Sequence, residues 1–91
     1  MTSIREMEVS ELAEEFGYQL LNTGGGCTGF EHSLEDGKSI LITIDEDALA
    51  PNDPMEECVA YLYDELGDYE PISQPIAFRK LLVLLQVKFQ I

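Results

Sequence analysis

Apolar and polar residues alternate with a period of two through the middle of this chain, and with a helical period near its two ends. From Ser39 to Asp45, the residues Ile40, Ile42 and Ile44 fall on one side of an extended strand, and Leu41 and Thr43 on the other. With both sides largely apolar, the spacing predicts a strand inside a sheet. Cys58 to Asp64 alternates likewise, with Cys58, Ala60 and Leu62 opposed to Val59, Tyr61 and Tyr63. Cys27 to Leu34 places Phe30, His32 and Leu34 on one face, and Tyr18 to Asn22 reads as a further short strand. Asp36-Gly37 predicts a tight hairpin turn, since both residue types tolerate positive φ. Thr23 to Gly26 breaks the first strand, Glu65 to Asp68 is a turn, and Asp45 to Glu57 is the main loop, punctuated by Pro51 and Pro54.

The ends read as helices. Ser3 with Glu6 forms a capping-box pattern, with Ser10 as an alternative cap for a shorter helix. Leu12, Ala13 and Phe16 make the apolar stripe, Ile4 and Met7 extend it, and Gly17 fits the position just past the last turn. Beyond Pro71, the residues Phe78, Leu81, Leu82, Leu85 and Phe89 recur at helical spacing, with Ser73 or Gln74 as cap and Pro75 in the first turn. The spacing predicts a helix over 75–86. Val83, Leu84, Val87 and Ile91 cover much of its remaining surface, so one buried face does not account for all of it; one or two strands are the alternative. The sum is one α+β domain over residues 1–91. It is a small antiparallel sheet of about four strands packed by an N-terminal and a C-terminal helix, in the order α-β-β-β-β-α.

Charge sharpens this picture. All eighteen acids lie between Glu6 and Glu70. Residues 1–70 hold only two bases, Arg5 and Lys38, for a net of −16. Residues 71–91 hold Arg79, Lys80 and Lys88 and no acid, which brings the whole chain to −13. Such a charge repels phosphate backbones and anionic membranes and attracts basic surfaces. Direct nucleic-acid and membrane binding are therefore set aside, and a basic protein surface is the expected partner. Imitation of DNA toward a nucleic-acid-binding protein is one version of that role. Asp45, Asp47, Asp53, Glu56 and Glu57, clustered in the long loop, are the candidate partner-facing carboxylates; a solvated loop that only aids solubility is the competing account. Phe78, Leu81, Leu82, Leu85 and Phe89 are either core or the seam of a homodimer. The start of the chain lacks an apolar run, and the longest, Leu81 to Leu85, is far short of the ~20 residues that span a bilayer, so a cytoplasmic location is expected.

No residue pattern marks a catalytic site, and the expectation is a non-enzymatic binding domain without cofactor or metal. Three patterns offer alternatives. Gly24-Gly25-Gly26 has the composition of an anion nest, but no lysine follows, and the next residues read as strand. Asp45, Asp47, Asp53 and Glu56 fall at positions 1, 3, 9 and 12 of a calcium loop, yet Ala50 stands where that loop needs glycine. Loop 45–57 and turn 24–26 together make a metal- or small-molecule-binding module the second reading. His32, Cys27 and Cys58 are the third pattern, as zinc ligands or a His–Cys pair; strand alternation sends Cys27 and His32 to opposite faces.

At Thr23-Gly24-Gly25-Gly26-Cys27-Thr28, followed by Leu34-Glu35-Asp36-Gly37, Leu41-Ile42-Thr43 and Ala50-Pro51, the chain resembles a set of short bacterial and bacteriophage hypothetical proteins. They share its length and its order of N-terminal helix, glycine-rich turn, Asp-Gly hairpin and acidic loop. The resemblance covers roughly residues 10–67 and implies a layout of turns. It brings no activity, cofactor or catalytic residue, and the segment after Pro71 departs from the set.

Overall fold

A computed structural model describes residues 4–24, 27–44, 49–51 and 53–90. Helix α1 (Ile4–Glu15) is followed by strands β1 (Gln19–Gly24), β2 (Cys27–Ser33), β3 (Ser39–Ile44), β4 (Glu57–Tyr63), β5 (Tyr69–Pro71) and β6 (Ile76–Ala77), then by helix α2 (Phe78–Phe89). The chain is an α+β domain with one antiparallel sheet. Its strands lie side by side in chain order from β1 to β5, and β6 adds to β4 beyond β5. The sheet thus has six strands where about four were expected. The two extra ones are too short for alternation to show, and each carries or follows a proline.

Register sorts the side chains into two faces. Phe30 pairs with Ile42, His32 with Ile40, Ile40 with Leu62 and Ile42 with Ala60, so these share one face. That face is the core. Phe30, Ile40, Ile42, Cys58 and Ala60 are buried there with Tyr18, against Val9 and Ala13 of α1 and Phe78, Leu81, Leu82 and Leu85 of α2. The Phe30 and Phe78 rings stack 5.3 Å apart, joining α2 to the sheet. Leu21, Glu31, Leu41, Tyr61 and Tyr63 occupy the other face. The shortest dimension of the molecule is 21 Å, which is the thickness of a sheet with one layer of helix about 10 Å above it.

The helix ends explain themselves locally. Gly17, at φ +87°, donates to the Glu14 carbonyl at 3.0 Å, and Tyr18 donates to the Ala13 carbonyl at 2.8 Å. This is the Schellman closure, and its left-handed position favours glycine. A Cβ at Gly17 would also stand 2.9 Å from His32 Nδ1. Ser10 lies inside α1 rather than capping a shorter helix, and Ser3 lies outside the described residues.

α2 starts at Phe78, three residues later than predicted, because Ile76 and Ala77 are used as strand, pairing with Cys58 and Glu57. No side chain caps it, so Ser73 and Gln74 do not fill that role. Instead, the N–H groups of Phe78 and Arg79 donate to the carbonyls of Glu56 (2.9 Å) and Pro54 (2.8 Å). The loop before β4 satisfies donors that a helix start otherwise leaves open. Ser73 acts elsewhere. Its Oγ accepts from the Ala60 N–H at 3.0 Å, beside an Ile72 N–H to Ala60 carbonyl bond of 2.9 Å. These two bonds bridge the gap between β5 and β6.

The turn at Asp36-Gly37 also differs from expectation. Leu34 donates to the Lys38 carbonyl at 2.7 Å, leaving a loop of Glu35, Asp36 and Gly37, and only Gly37 takes positive φ, at +82°. Between β4 and β5, Asp64 donates to the Asp68 carbonyl at 3.0 Å around Glu65, Leu66 and Gly67, and Gly67 lies at +87°. Both are three-residue loops ending in a left-handed glycine, a common hairpin form. Among the described residues no helix is long and apolar enough to cross a membrane.

Candidate functional site

A meander places alternate connections at opposite ends of its sheet. The α1–β1, β2–β3 and β4–β5 connections share one end. That end collects Glu14 and Glu15 from the last turn of α1, Glu35 and Asp36 from the first hairpin loop, and Asp64, Glu65 and Asp68 from the second. Asp64 is half-buried and the other six are exposed. The two hairpins lie close enough that a Cβ on Gly37 would come 3.0 Å from Glu65 Oε1. Two of the carboxylates serve their own turns. Asp36 Oδ1 accepts from the Lys38 N–H at 3.2 Å, and Asp64 Oδ1 accepts from the Leu66 and Asp68 N–H groups at 3.0 and 3.2 Å. Beside them is a hollow of about 180 Å³ lined by Lys38, Leu62, Tyr63, Asp64, Asp68 and Glu70. Alternation along single strands gives no hint of this grouping; only the pairing of consecutive strands brings it together.

Of the carboxylates singled out from sequence, Asp53, Glu56 and Glu57 lie at the opposite end. Asp45 and Asp47 are outside the described residues. Asp53 Oδ1 accepts from the Met55 N–H at 2.9 Å, and its carbonyl accepts from the Glu56 N–H at 3.0 Å, so Asp53 shapes the turn that delivers the loop to α2. Glu56 is half-buried there and Glu57, the first residue of β4, is exposed. Leu49 and Ala50 are anchored too: Ile44 donates to the Leu49 carbonyl at 2.7 Å, and Ala50 donates to Thr28 Oγ1 at 2.9 Å. The loop therefore has a structural part to play in closing the start of α2.

Of the tail residues, Phe78, Leu81, Leu82 and Leu85 are wholly buried in the core of the single chain, and Phe89 packs against it. Apolar surface remains on the outward side of α2, where Val83, Leu84 and Val87 are exposed among Lys80 and Lys88. An open groove of about 750 Å³ runs beside it, lined among others by Ile72, Ile76, Leu84 and Lys88.

The remaining candidates resolve one by one. Gly24 pairs with Cys27, so the glycine run lies at the connection of a hairpin; Gly25 and Gly26 are outside the described residues. His32 Nδ1 lies 2.8 Å from the Gly17 carbonyl, which only accepts, so Nδ1 carries the proton. The ring packs 5.2 Å from that of Tyr18. His32 thus fastens the α1–β1 corner to β2. Cys58 is a buried free thiol whose Sγ donates to the Glu56 carbonyl at 3.4 Å. Burial, aided by the Glu56 charge, pushes the thiol from 9.0 up to about 12, away from the range of a nucleophile or ready metal ligand. Cys27 is described by its backbone alone. Among the described residues no three His, Cys, Asp or Glu side chains gather as a metal site. On the sheet face opposite the helices the Tyr63 hydroxyl donates to the Glu31 carboxylate.

No known protein family, curated protein or solved structure matches this chain.

Proposed function

We propose that this chain is a small cytoplasmic, non-enzymatic interaction domain that binds a basic protein surface through the carboxylate-rich end of its sheet. The observation that carries the reading is where the acids stand. Glu14 and Glu15 occupy the last turn of α1, beside the negative end of the helix dipole, with no basic residue in that turn. Carboxylates there are unfavourable by about 0.3–1 kcal/mol each. Two hairpin loops add acids alongside, and like charges in proximity raise the cost. Folding does not require this arrangement, whereas a cationic partner is attracted by it and steered to it. The hollow beside them carries three carboxylates, Asp64, Asp68 and Glu70, against one cation, Lys38, so its lining is net anionic. The loop acids Asp53, Glu56 and Glu57 form a second anionic area at the far end, beside Asp45 and Asp47 in sequence.

The test is retention of basic proteins from a lysate at low ionic strength, compared with the variant Glu14→Gln/Glu15→Gln/Glu35→Gln/Glu65→Gln. Retention that added salt releases and the variant loses supports the reading. No retained protein, or equal retention by the variant, rejects it.

A metal- or small-molecule-binding module built on loop 45–57 and turn 24–26 remains the second reading. Thermal melts with calcium, magnesium, manganese and zinc separate the two, since a specific ion raises the melting temperature by mass action. A flat response to all four removes the metal version.

A further inference from the structure

We propose that the outer edge of β1, around Leu20, is a self-pairing seam, through which two copies of this chain join their sheets across a two-fold axis. The two edges of the sheet are unlike. On the far side the edge is split into β5 and β6, of three and two residues, and carries Glu70 and Pro71. Short strands, charge and proline are the devices that keep an edge from pairing with another chain. β1 carries no charge and no proline, and its one irregularity is a register shift between Asn22 and Gly24, at the hairpin end. It runs six residues, Gln19-Leu20-Leu21-Asn22-Thr23-Gly24, and only β2 pairs with it among the described residues. Leu20 stands beside Phe30 on the core side of the sheet, yet it is 62% exposed at the rim. A strand laid against β1 would cover it by cross-strand contact.

Charge selects a second copy as that strand. The fifteen residues from Phe16 to Phe30 hold no charged side chain, in a chain with 23 charged residues, and β1 lies at the middle of this stretch. Two molecules of charge −13 repel wherever carboxylates face one another. At β1 they meet backbone to backbone with no carboxylate on the strand itself. An antiparallel strand paired with its own copy also satisfies two-fold symmetry without any further matching surface. The outer side of α2 is a poorer seam, since a two-fold contact there gathers Lys80 and Lys88 of both copies around one apolar strip. Because the β5–β6 edge is guarded, assembly stops at two chains.

The experiment is the molar mass in solution by light scattering or sedimentation, over a range of protein and salt concentrations, for the native chain and two variants. Leu20→Lys adds to an exposed edge position a cation that lowers the net charge. Val87→Lys changes the outer side of α2 instead. The expected result is a mass twice the 10.2 kDa of one chain, with the paired fraction rising as salt screens the residual repulsion. Leu20→Lys gives the single-chain mass with an unchanged far-ultraviolet circular dichroism spectrum, and Val87→Lys pairs as the native chain does. A single-chain mass under every condition, masses above two chains, or a pair that Val87→Lys dissolves and Leu20→Lys does not would each overturn the proposal. So would pairing that weakens as salt is added.

Discussion

Tyr18 shows how tightly the α1–β1 corner is drawn. Its hydroxyl is buried without a hydrogen-bond partner among the described residues, and burial raises its titration well above the ordinary value for a phenol. An orphaned buried hydroxyl costs about 1–3 kcal/mol in lost hydration. Tyr18→Phe keeps the ring and its contact with His32 while removing that cost. The expected outcome in a urea melt is unchanged stability, or a gain of up to about 1 kcal/mol; a clear loss would show that the hydroxyl has a partner. Cys58 sets a pH dependence. Its thiol is held protonated to about pH 12 when folded, whereas it ionises near 9.0 when unfolded. The folded state therefore keeps a proton that the unfolded state has released. The stabilising contribution is complete below pH 9.0 and declines as pH rises from there toward 12. Tyr18 acts with the same sign. Denaturant midpoints measured upward from pH 8 should fall progressively, and Cys58→Ala should flatten part of that decline.

At the scale of elements, the acids of α1 tie stability and binding together with opposite signs. Glu15→Lys places a cation at the negative end of the helix. The variant should gain about 0.3–1 kcal/mol while losing affinity for a basic partner. A thermal melt and a binding assay on the same preparation read both; a variant that is less stable and binds equally well contradicts the role given to this end. In α2, Leu82 is wholly buried, and Leu82→Ala should cost about 2–5 kcal/mol. A cost under 1 kcal/mol by chemical denaturation would mean that α2 is not docked as described. The longer elements were legible in the chain because each repeats its pattern over several residues: Ile40, Ile42 and Ile44 for β3, Leu81, Leu82 and Leu85 for α2. Gly17 marked its helix end through the left-handed residue that a Schellman closure needs. β5 and β6 were not legible, since strands of three and two residues are too short to alternate and Pro71 and Pro75 argue for a turn. The start of α2 was misplaced for a related reason. Its donors are satisfied by carbonyls of Pro54 and Glu56, and backbone acceptors far away in the chain leave no trace in side-chain type. The carboxylate-rich end was hidden because it is a property of strand order, while the loop acids were conspicuous only because they are adjacent in sequence.

At the scale of the molecule, a net charge of −13 on a chain of 91 residues works against compactness. Screening that self-repulsion should raise the melting temperature as sodium chloride is added, with most of the gain reached once the Debye length falls to about 10 Å. A melting temperature that drops with salt would instead show that attractive ion pairs dominate the fold. Salt then separates three behaviours: the folded state and the β1 seam strengthen with it, and capture of a basic partner weakens.

The order of the strands has a kinetic consequence. Because β1 to β5 follow one another across the sheet as they do along the chain, the β1–β2, β2–β3 and β4–β5 hairpins close short loops, and such closures are fast. The contact of Phe78 with Phe30 joins segments far apart in the chain and carries a larger entropic toll. Pairing of neighbouring strands is therefore expected to precede the docking of α2 on Phe30. In stopped-flow measurements Leu82→Ala should speed unfolding and leave the folding rate nearly untouched, whereas slowed folding would place α2 in the rate-limiting ensemble.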